Sequence, residues 1–588
     1  MPGRGRDGNI GVAIRDWLRR DWLALLIFTT LSLVAVYPVL PDISSLVIGV
    51  LGDNVLYTYT TGWVGKSLTV GESPFVDPHL NYPGVLHLAA TDVPYLNMLL
   101  VAPFTLLFGP VFSYNLLIIT ANFLSGYFTY LWILKVTGSR FAGLVSGVAF
   151  LLTPFRIVHS LGHLTLVSTQ ILPLLFWALE NALSTPRPSL KQLVLLGGVT
   201  FLLGATSQYL LVLSLLVGAV YTVLRTLPRW RYLFLEAWKL IPAVATGAFI
   251  SALPYLAAAG TGLFKPYDVV AETRIWSASV YDFIIPSRLH PLWGNFILER
   301  SHQYAWVEHS LYIGIIVGVL ALIGLFRSVR TDKGVVSPHL KVVWLASASI
   351  AAIIALGTDL HINMLPVQQD NPVWLPMYYL GNLPIINMLR VWARAGIITI
   401  LFFVALSGLG ACVLELWLRR FGRWQSVGMA LCVAAIIFEF LPGNLIASKL
   451  VPRPVDQWLA GQRGDFAVAF LPVFPAGFTN HVNYIQQYGS LYHGKRVPAF
   501  QHDLHIPREY AAFRDLTSTF PSPESVESLR KLGLRYLVVS RWGYNGQDFP
   551  PLDTVQGELL QNPSVHLAAT FDDALVFEYD QPLPPVQR

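Results

Sequence analysis

The chain has 588 residues, of which 54% are hydrophobic and only 13% charged, with a mean hydropathy of +0.54. Soluble domains carry about 25% charged residues, so an ordinary soluble enzyme is excluded, and long apolar runs with scattered Gly and Pro exclude disordered and collagen-like chains. The formal charge of +6 is unevenly placed: residues 444–588 hold 12 Lys/Arg against 14 Asp/Glu, which leaves +8 on the apolar part and points to basic cytoplasmic loops rather than nucleic-acid binding.

A span of the bilayer needs roughly 17 to 25 apolar residues. In chain order, such runs fall at 22–40, 111–136, 139–157, 162–181, 193–207, 209–225, 240–258, 310–327, 341–358, 392–417 and 425–443. Residues 193–225 are too long for one span and carry Ser207 and Gln208 at their middle, which predicts two short helices with a turn between them. The first run follows Arg19-Arg20 but leads into Tyr37-Pro38 without a small-residue cleavage site, so a retained anchor is expected. Cys412 and Cys432 both lie in apolar runs and are expected to be free thiols.

Val93 to Gly109 decides the parity of everything downstream. It is apolar but short, and it carries Pro94 and Pro103. If it lies flat at the interface, Arg19, Arg20, Lys135, Arg140, Arg187, Arg225, Arg229, Lys239, Arg327, Lys341 and Arg419 share one side, leaving Lys66, Lys265, Arg274, Arg288, Arg300 and Arg390 on the other. If it crosses, most basic loops face outward, against the positive-inside rule. The expected protein is therefore a polytopic α-helical membrane protein of about eleven spans. Residues 1–21 are cytoplasmic, 22–443 form the transmembrane part, and 41–110, 259–309, 359–391 and the C-terminal 444–588 lie outside.

In that C-terminal part, Phe466 to Val473 and Arg535 to Arg541 read as buried strands, and Val565 to Asp580 as a hairpin turning at Asp572-Asp573. Ser522-Pro523 opens a helix that Gly533 closes. The result is a small α/β domain with no phosphate loop, no CxxC and no evident nucleophile. Its histidines (His481, His493, His502, His505, His566) lack a completing Cys or carboxylate cluster and read as surface or hydrogen-bonded groups.

The first exterior loop sets five acids (Asp42, Asp53, Glu72, Asp77, Asp92) against Lys66 alone, and that excess suits a general base or a bound cation unless the acids merely cap turns. Arg390 and Arg394 are four apart, which on a helix gives them one face, and Arg suits bidentate phosphate binding. Snorkelling, or bridging to Asp359 or Asp370, is the alternative. In the third loop, beside Arg288, His290 and Glu308 could bind an acceptor or a metal unless they only make ordinary loop hydrogen bonds; Arg156, His159 and His163 at the turn near 160 are further candidates for binding a substrate, since polar groups at membrane depth are rare.

One helix leading out, a large loop with Gly52-Asp53-Asn54 just past it, an interfacial helix (Pro94 to Gly109) and a helix returning to the basic turn Lys135 to Arg140 together resemble the GT-C class of integral-membrane glycosyltransferases. More narrowly, Phe155-Arg156 through His163, Pro286 through Pro291 and Leu389 through Arg394 resemble YfhO-like members. The resemblance implies transfer of a sugar from a polyprenyl-phosphate-linked donor to a glycan, lipid or protein acceptor at the outer face of the membrane. It places Asp53 as the first-loop carboxylate that serves as general base or orients the acceptor, and Arg390 and Arg394 on the donor phosphate. Asp77, Asp92, Arg156, His163, Arg288, His290 and Glu308 remain as possible substrate-binding groups. Asp53 is followed by Asn54, so the paired-acid signature of metal-dependent members is missing, and neither a metal nor any other cofactor is expected. A transporter or lipid flippase of envelope glycoconjugates, or a non-catalytic envelope scaffold, is the alternative function.

Overall fold

The computed structural model describes residues 10–90, 92–258, 267–300, 306–331, 334–362, 371–474, 480–500 and 506–586. Lys265, Asp370, His502 and His505 lie outside these residues. The first apolar run sits in a helix that begins earlier than hydropathy alone predicts, α1 at Ile10–Val34, because Arg19 and Arg20 are good helix formers and continue it by several turns before the apolar stretch starts. A 3-10 turn over Tyr37–Asp42 carries the chain to a short strand at Leu46–Ile48.

Two helices follow where only one was expected. Helix α2, Asp53–Val70, begins at Asp53 itself and ends on Gly71, whose φ of 73° is the left-handed cap that glycine adopts without strain. Helix α3, Tyr95–Phe108, matches the expected interfacial segment. At 14 residues it spans about 21 Å, too short to cross about 30 Å of hydrocarbon. Both of its ends also sit at one end of the bundle. Asp92, just before α3, holds the turn at Ser207, while α4 (Pro110–Thr137), just after it, has Asn115 donating to the carbonyls of Ile43 and Leu46 beside the exit of α1.

The run at 139–157 is divided into α5 (Arg140–Leu152) and α6 (Pro154–His159), because Pro154 cannot donate to the preceding turn. Two further helices, α7 (Leu164–Val167) and α8 (Ile171–Leu183), replace the expected 162–181. Helices α9 (Leu190–Thr206) and α10 (Gln208–Thr226) part at Ser207, as the polar pair predicts; Ser207 is extended and caps α10 through Leu210 N. Later helices run Leu240–Ala258, Ile315–Phe326, Pro338–Ala355, Gly396–Leu418 and Gln425–Glu439.

Six helical stretches among the described residues are long and apolar enough to cross a membrane, and four more are apolar but shorter. The core sits where α5 meets α4 and Gly396–Leu418. Backbones approach closely there: a methyl on Gly147 would come within 2.6 Å of the Gly126 carbonyl, the small-residue packing expected between helices in lipid. Cys412 and Cys432 are free thiols.

The C-terminal residues build a four-stranded sheet in the order Ala467–Leu471, Leu534–Ser540, Ala574–Tyr579, Val565–Thr570. The first pair is parallel, and the connecting segment contains helix Pro523–Lys531, capped by Ser522; the remaining pairs are antiparallel. This sheet is fastened to the first loop. Tyr82 donates to Leu532 O at 2.7 Å, and Leu46–Ile48 pairs antiparallel with Ala447–Lys449.

The four segments expected outside therefore meet at one end of the bundle. Val280 N donates to His361 O and Gly443 N to Leu289 O, joining the second segment to the third and to the residue just before the C-terminal part. At the opposite end the basic residues gather with their own acids: Arg225 with Glu180, Lys239 with Glu236, and Arg419 with Glu415.

Candidate active site

The residue after Asp53 explains the shape of the turn into α2. Asn54 is fully buried, its amide donates to Ile48 O at 2.8 Å and Val50 O at 2.9 Å, and its carbonyl accepts from Gly52 N. A carboxylate there would face two carbonyl oxygens, so an amide is required and a second acid is disfavoured. Asp53 is thereby fixed at the first turn of α2, where the helix dipole favours its negative charge. Gly162 lies beside it: a methyl there would sit 3.6 Å from Asp53 Cβ, an ordinary contact.

Asp53 Oδ2 is 3.1 Å from His163 Nε2. The ring of His163 is 5.3 Å, centroid to centroid, from that of His159, whose Nε2 is 3.2 Å from Glu308 Oε2. Glu308 accepts from Arg394 in a forked pair, Nη2 to Oε1 at 2.6 Å and Nε to Oε2 at 3.1 Å. Burial alone would raise the Glu308 carboxyl, but the Arg394 guanidinium holds it well below the usual carboxylate range. Arg394 also lies 4.7 Å over the Tyr209 ring, and Tyr209 Oη bonds both N and O of Val391. A continuous polar chain thus runs from Asp53 to Arg394 across segments separated by more than 300 residues.

Two more polar groups belong to this end of the bundle. Asp92 accepts from Ser207 Oγ at 2.7 Å and Gln208 N at 3.0 Å; burial raises its carboxyl against the pull of these donors. Tyr57, one turn along α2 from Asp53, contacts Thr165 Oγ1 at 3.3 Å. Burial pushes the Tyr57 phenol up, as do the negative charges of Asp92 and Asp53. Nothing in the sequence marked Tyr57 while Asp53 to Val70 read as a loop; the four-residue spacing acquires meaning only on a helix.

The arginine pair departs from expectation. Arg390 and Arg394 do not share an α-helical face: the chain is extended at Leu389 and Val391 on either side of Arg390 and then turns through a 3-10 helix, Trp392–Ala395. Arg394 is engaged by Glu308, whereas Arg390 has no carboxylate partner among the described residues and rests 5.0 Å over Trp276 and 5.9 Å over Tyr267. Asp359, the alternative partner, goes to Arg274 at 3.1 Å.

Three candidates are claimed by the fold. Arg156 is fully buried, and its guanidinium donates to the carbonyls of Leu151, Val167 and Ala121, to Asn122 Oδ1 and to Thr169 Oγ1. All five donors are used, so it staples α4, α6 and α7 and has none left for a substrate. Asp77 is buried, accepting from Tyr59 Oη at 2.7 Å and from His79 N, which ties the loop to α2. His290 stacks on Trp293 at 3.3 Å with Nε2 against Phe438 O, pinning the third loop to Gln425–Glu439. Arg288 lies over Trp306, two residues from Glu308, at the edge of the chain of charges. Of the tail histidines, His493 is pushed down to about 3 by burial and accepts from Lys495 N, and His566 pairs with Asp580.

The fold, with its first-loop helices, is similar to those of solved glycosyltransferases. It is similar to arabinofuranosyltransferase AftD from Mycobacteria (TM-score 0.53, 14% identity), covering 95% of this chain and 40% of that one, so the chain spans well under half of AftD. ArnT from Cupriavidus metallidurans, solved with undecaprenyl phosphate, aligns at a TM-score of 0.48 and 13% identity over 97% of this chain and 99% of that one. AglB from Archaeoglobus fulgidus, an archaeal oligosaccharyltransferase solved with an inhibitory peptide and a dolichol-phosphate, aligns at 0.45 and 11% over 89% and 70%. Residues 66–406 match a family model described as a domain of unknown function, DUF6311, and the chain belongs to that family. None of the curated proteins matches it.

Proposed function

We propose that this protein is a glycosyltransferase that moves a sugar from a polyprenyl-phosphate-linked donor to an extracytoplasmic glycan, lipid or protein acceptor. The observation that carries this reading is the linked series Asp53, His163, His159, Glu308 and Arg394, with Arg390 four residues from Arg394 and without a carboxylate partner among the described residues. In this reading eleven helices span the cell membrane, the N-terminus is cytoplasmic, and residues 444–588 form an extracytoplasmic α/β domain.

The chemistry follows from charge. An acceptor hydroxyl attacks the anomeric carbon, Asp53 takes its proton, and the C–O bond to phosphate breaks with its electron pair leaving on the phosphate oxygen. His163 orients the Asp53 carboxylate. Arg390, flat on two aromatic rings, meets the growing phosphate charge; Arg394, neutralised by Glu308, orients the wall of the site. Asp92 at the α9–α10 turn and Arg288 at the rim lie where an acceptor would enter.

The test is an Asp53→Asn chromosomal variant analysed by mass spectrometry of membrane lipids. Accumulation of a polyprenyl-linked sugar, with wild-type protein levels, is the expected result and identifies the donor. An unchanged lipid profile with the glycan product intact removes Asp53 as the base. A donor lipid displaced to the inner leaflet would favour the flippase reading.

A further inference from the structure

The ring of His159 presents a problem of protons. Its Nδ1 is 2.7 Å from the carbonyl of Phe155, and its Nε2 is 3.2 Å from Glu308 Oε2, so both nitrogens face acceptors. A neutral imidazole has one N–H. If Nδ1–H donates to the carbonyl, the shorter contact, then the lone pair of Nε2 points at a carboxylate. The neighbouring ring repeats the pattern: His163 Nε2 faces Asp53 Oδ2 at 3.1 Å, while its Nδ1 is buried without a hydrogen-bond partner. Ligand-capable atoms of His159, His163 and Glu308 all lie within 4.8 Å of one another.

We propose that His159, His163 and Glu308, with Asp53 beside them, bind one divalent ion of the zinc or manganese kind. Two ligands of a tetrahedral ion with bonds of about 2.0–2.1 Å sit about 3.3 Å apart, and the His159–Glu308 and His163–Asp53 separations already have that length. The Phe155 carbonyl supplies the outer contact that fixes the tautomer of a metal-bound histidine, with Nδ1 protonated and Nε2 bare. Two imidazoles and two carboxylates suit zinc or manganese better than magnesium, which is reluctant to lose its water. Two carboxylates stand here against one guanidinium, Arg394, so the site is net negative and attracts a cation. The missing second acid after Asp53 is no obstacle, because the donors come from α2, from the ends of α6 and α7, and from the loop before Ile315 rather than from one motif. The inference stands on these distances and does not depend on the transferase reading.

The test uses purified full-length protein in detergent, stripped with a chelator and titrated calorimetrically with zinc chloride or manganese chloride alone. The expected result is one ion per chain, with affinity reduced about 100-fold or more in His163→Gln and in His159→Gln, since loss of even an outer contact costs 10- to 100-fold. His566→Gln, a surface imidazole of the tail, leaves affinity unchanged. His163 is partly exposed, so its variant is the one expected to fold; its metal-free melting temperature should equal that of the wild type while the rise on adding metal disappears. Absence of stoichiometric binding, or binding equal in wild type and His163→Gln, overturns the site.

Discussion

Both ends of the bundle are rich in arginine, yet they are built differently. At one end, Arg20, Arg140, Arg330 and Arg419 line a cavity of about 730 Å³ that also holds Ser139 and Glu415. Arg20 and Arg419 are more than half exposed, and each has a carboxylate neighbour, Asp21 or Glu415. Such charges are hydrated, screened and partly neutralised, which suits them to fixing topology. At the other end, Arg394 is enclosed and forked onto a buried Glu308, and Arg390 is flattened on Trp276 and Tyr267. A charge held in place with little water around it stabilises an arriving anion far more than a mobile surface charge does. Depth and fixed geometry, more than the count of arginines, distinguish a site from a topology signal.

The comparison can be broken in several ways. The largest effect is expected for Asp53→Asn, which should lower sugar transfer by about 10²- to 10⁴-fold, the usual contribution of a general base, in an assay with lipid-linked donor; full activity would remove the site from this end. Arg394→Ala leaves Glu308 buried without its cation and should cost about 3–5 kcal/mol of stability, read as a lowered unfolding temperature in detergent and restored in part by adding Glu308→Gln. Asn54→Asp places a carboxylate against two carbonyls and should cost about 2–3 kcal/mol with transfer lost. Arg390→Ala should raise KM for the donor by roughly 10- to 100-fold, the worth of a charged hydrogen bond, without altering the unfolding temperature. At the opposite end, Arg225→Ala removes the Glu180 pair and should cost about 1 kcal/mol with transfer unchanged.

Hydropathy made the helices legible because apolar length is a direct demand of the bilayer. Ser207 and Gln208 gave the α9–α10 break, and Pro154 could have given the one between α5 and α6. Helix α2 was not legible: its Thr, Tyr and Val residues favour strands over helices, and it is buried on most sides, so no apolar stripe betrays it. Among the site residues, Asp53 stood out through the excess of acid in its loop. The pairings His159–Glu308 and Glu308–Arg394 join residues far apart in the chain, and a single sequence carries no record of such contacts. Arg156 misled because a polar group at depth invites a functional reading, while the carbonyls that consume it belong to helix ends that the sequence does not reveal.

The central claim is that the donor phosphate rests at the end where Arg390 lies. A polyprenyl phosphate bearing a photoreactive group near its headgroup, cross-linked to the purified protein and mapped by peptide mass spectrometry, tests this directly. Adducts near Trp276, Tyr267 and Arg390, lost in Arg390→Ala, are the predicted result. Adducts around Arg140 and Arg419 that survive that substitution would contradict it.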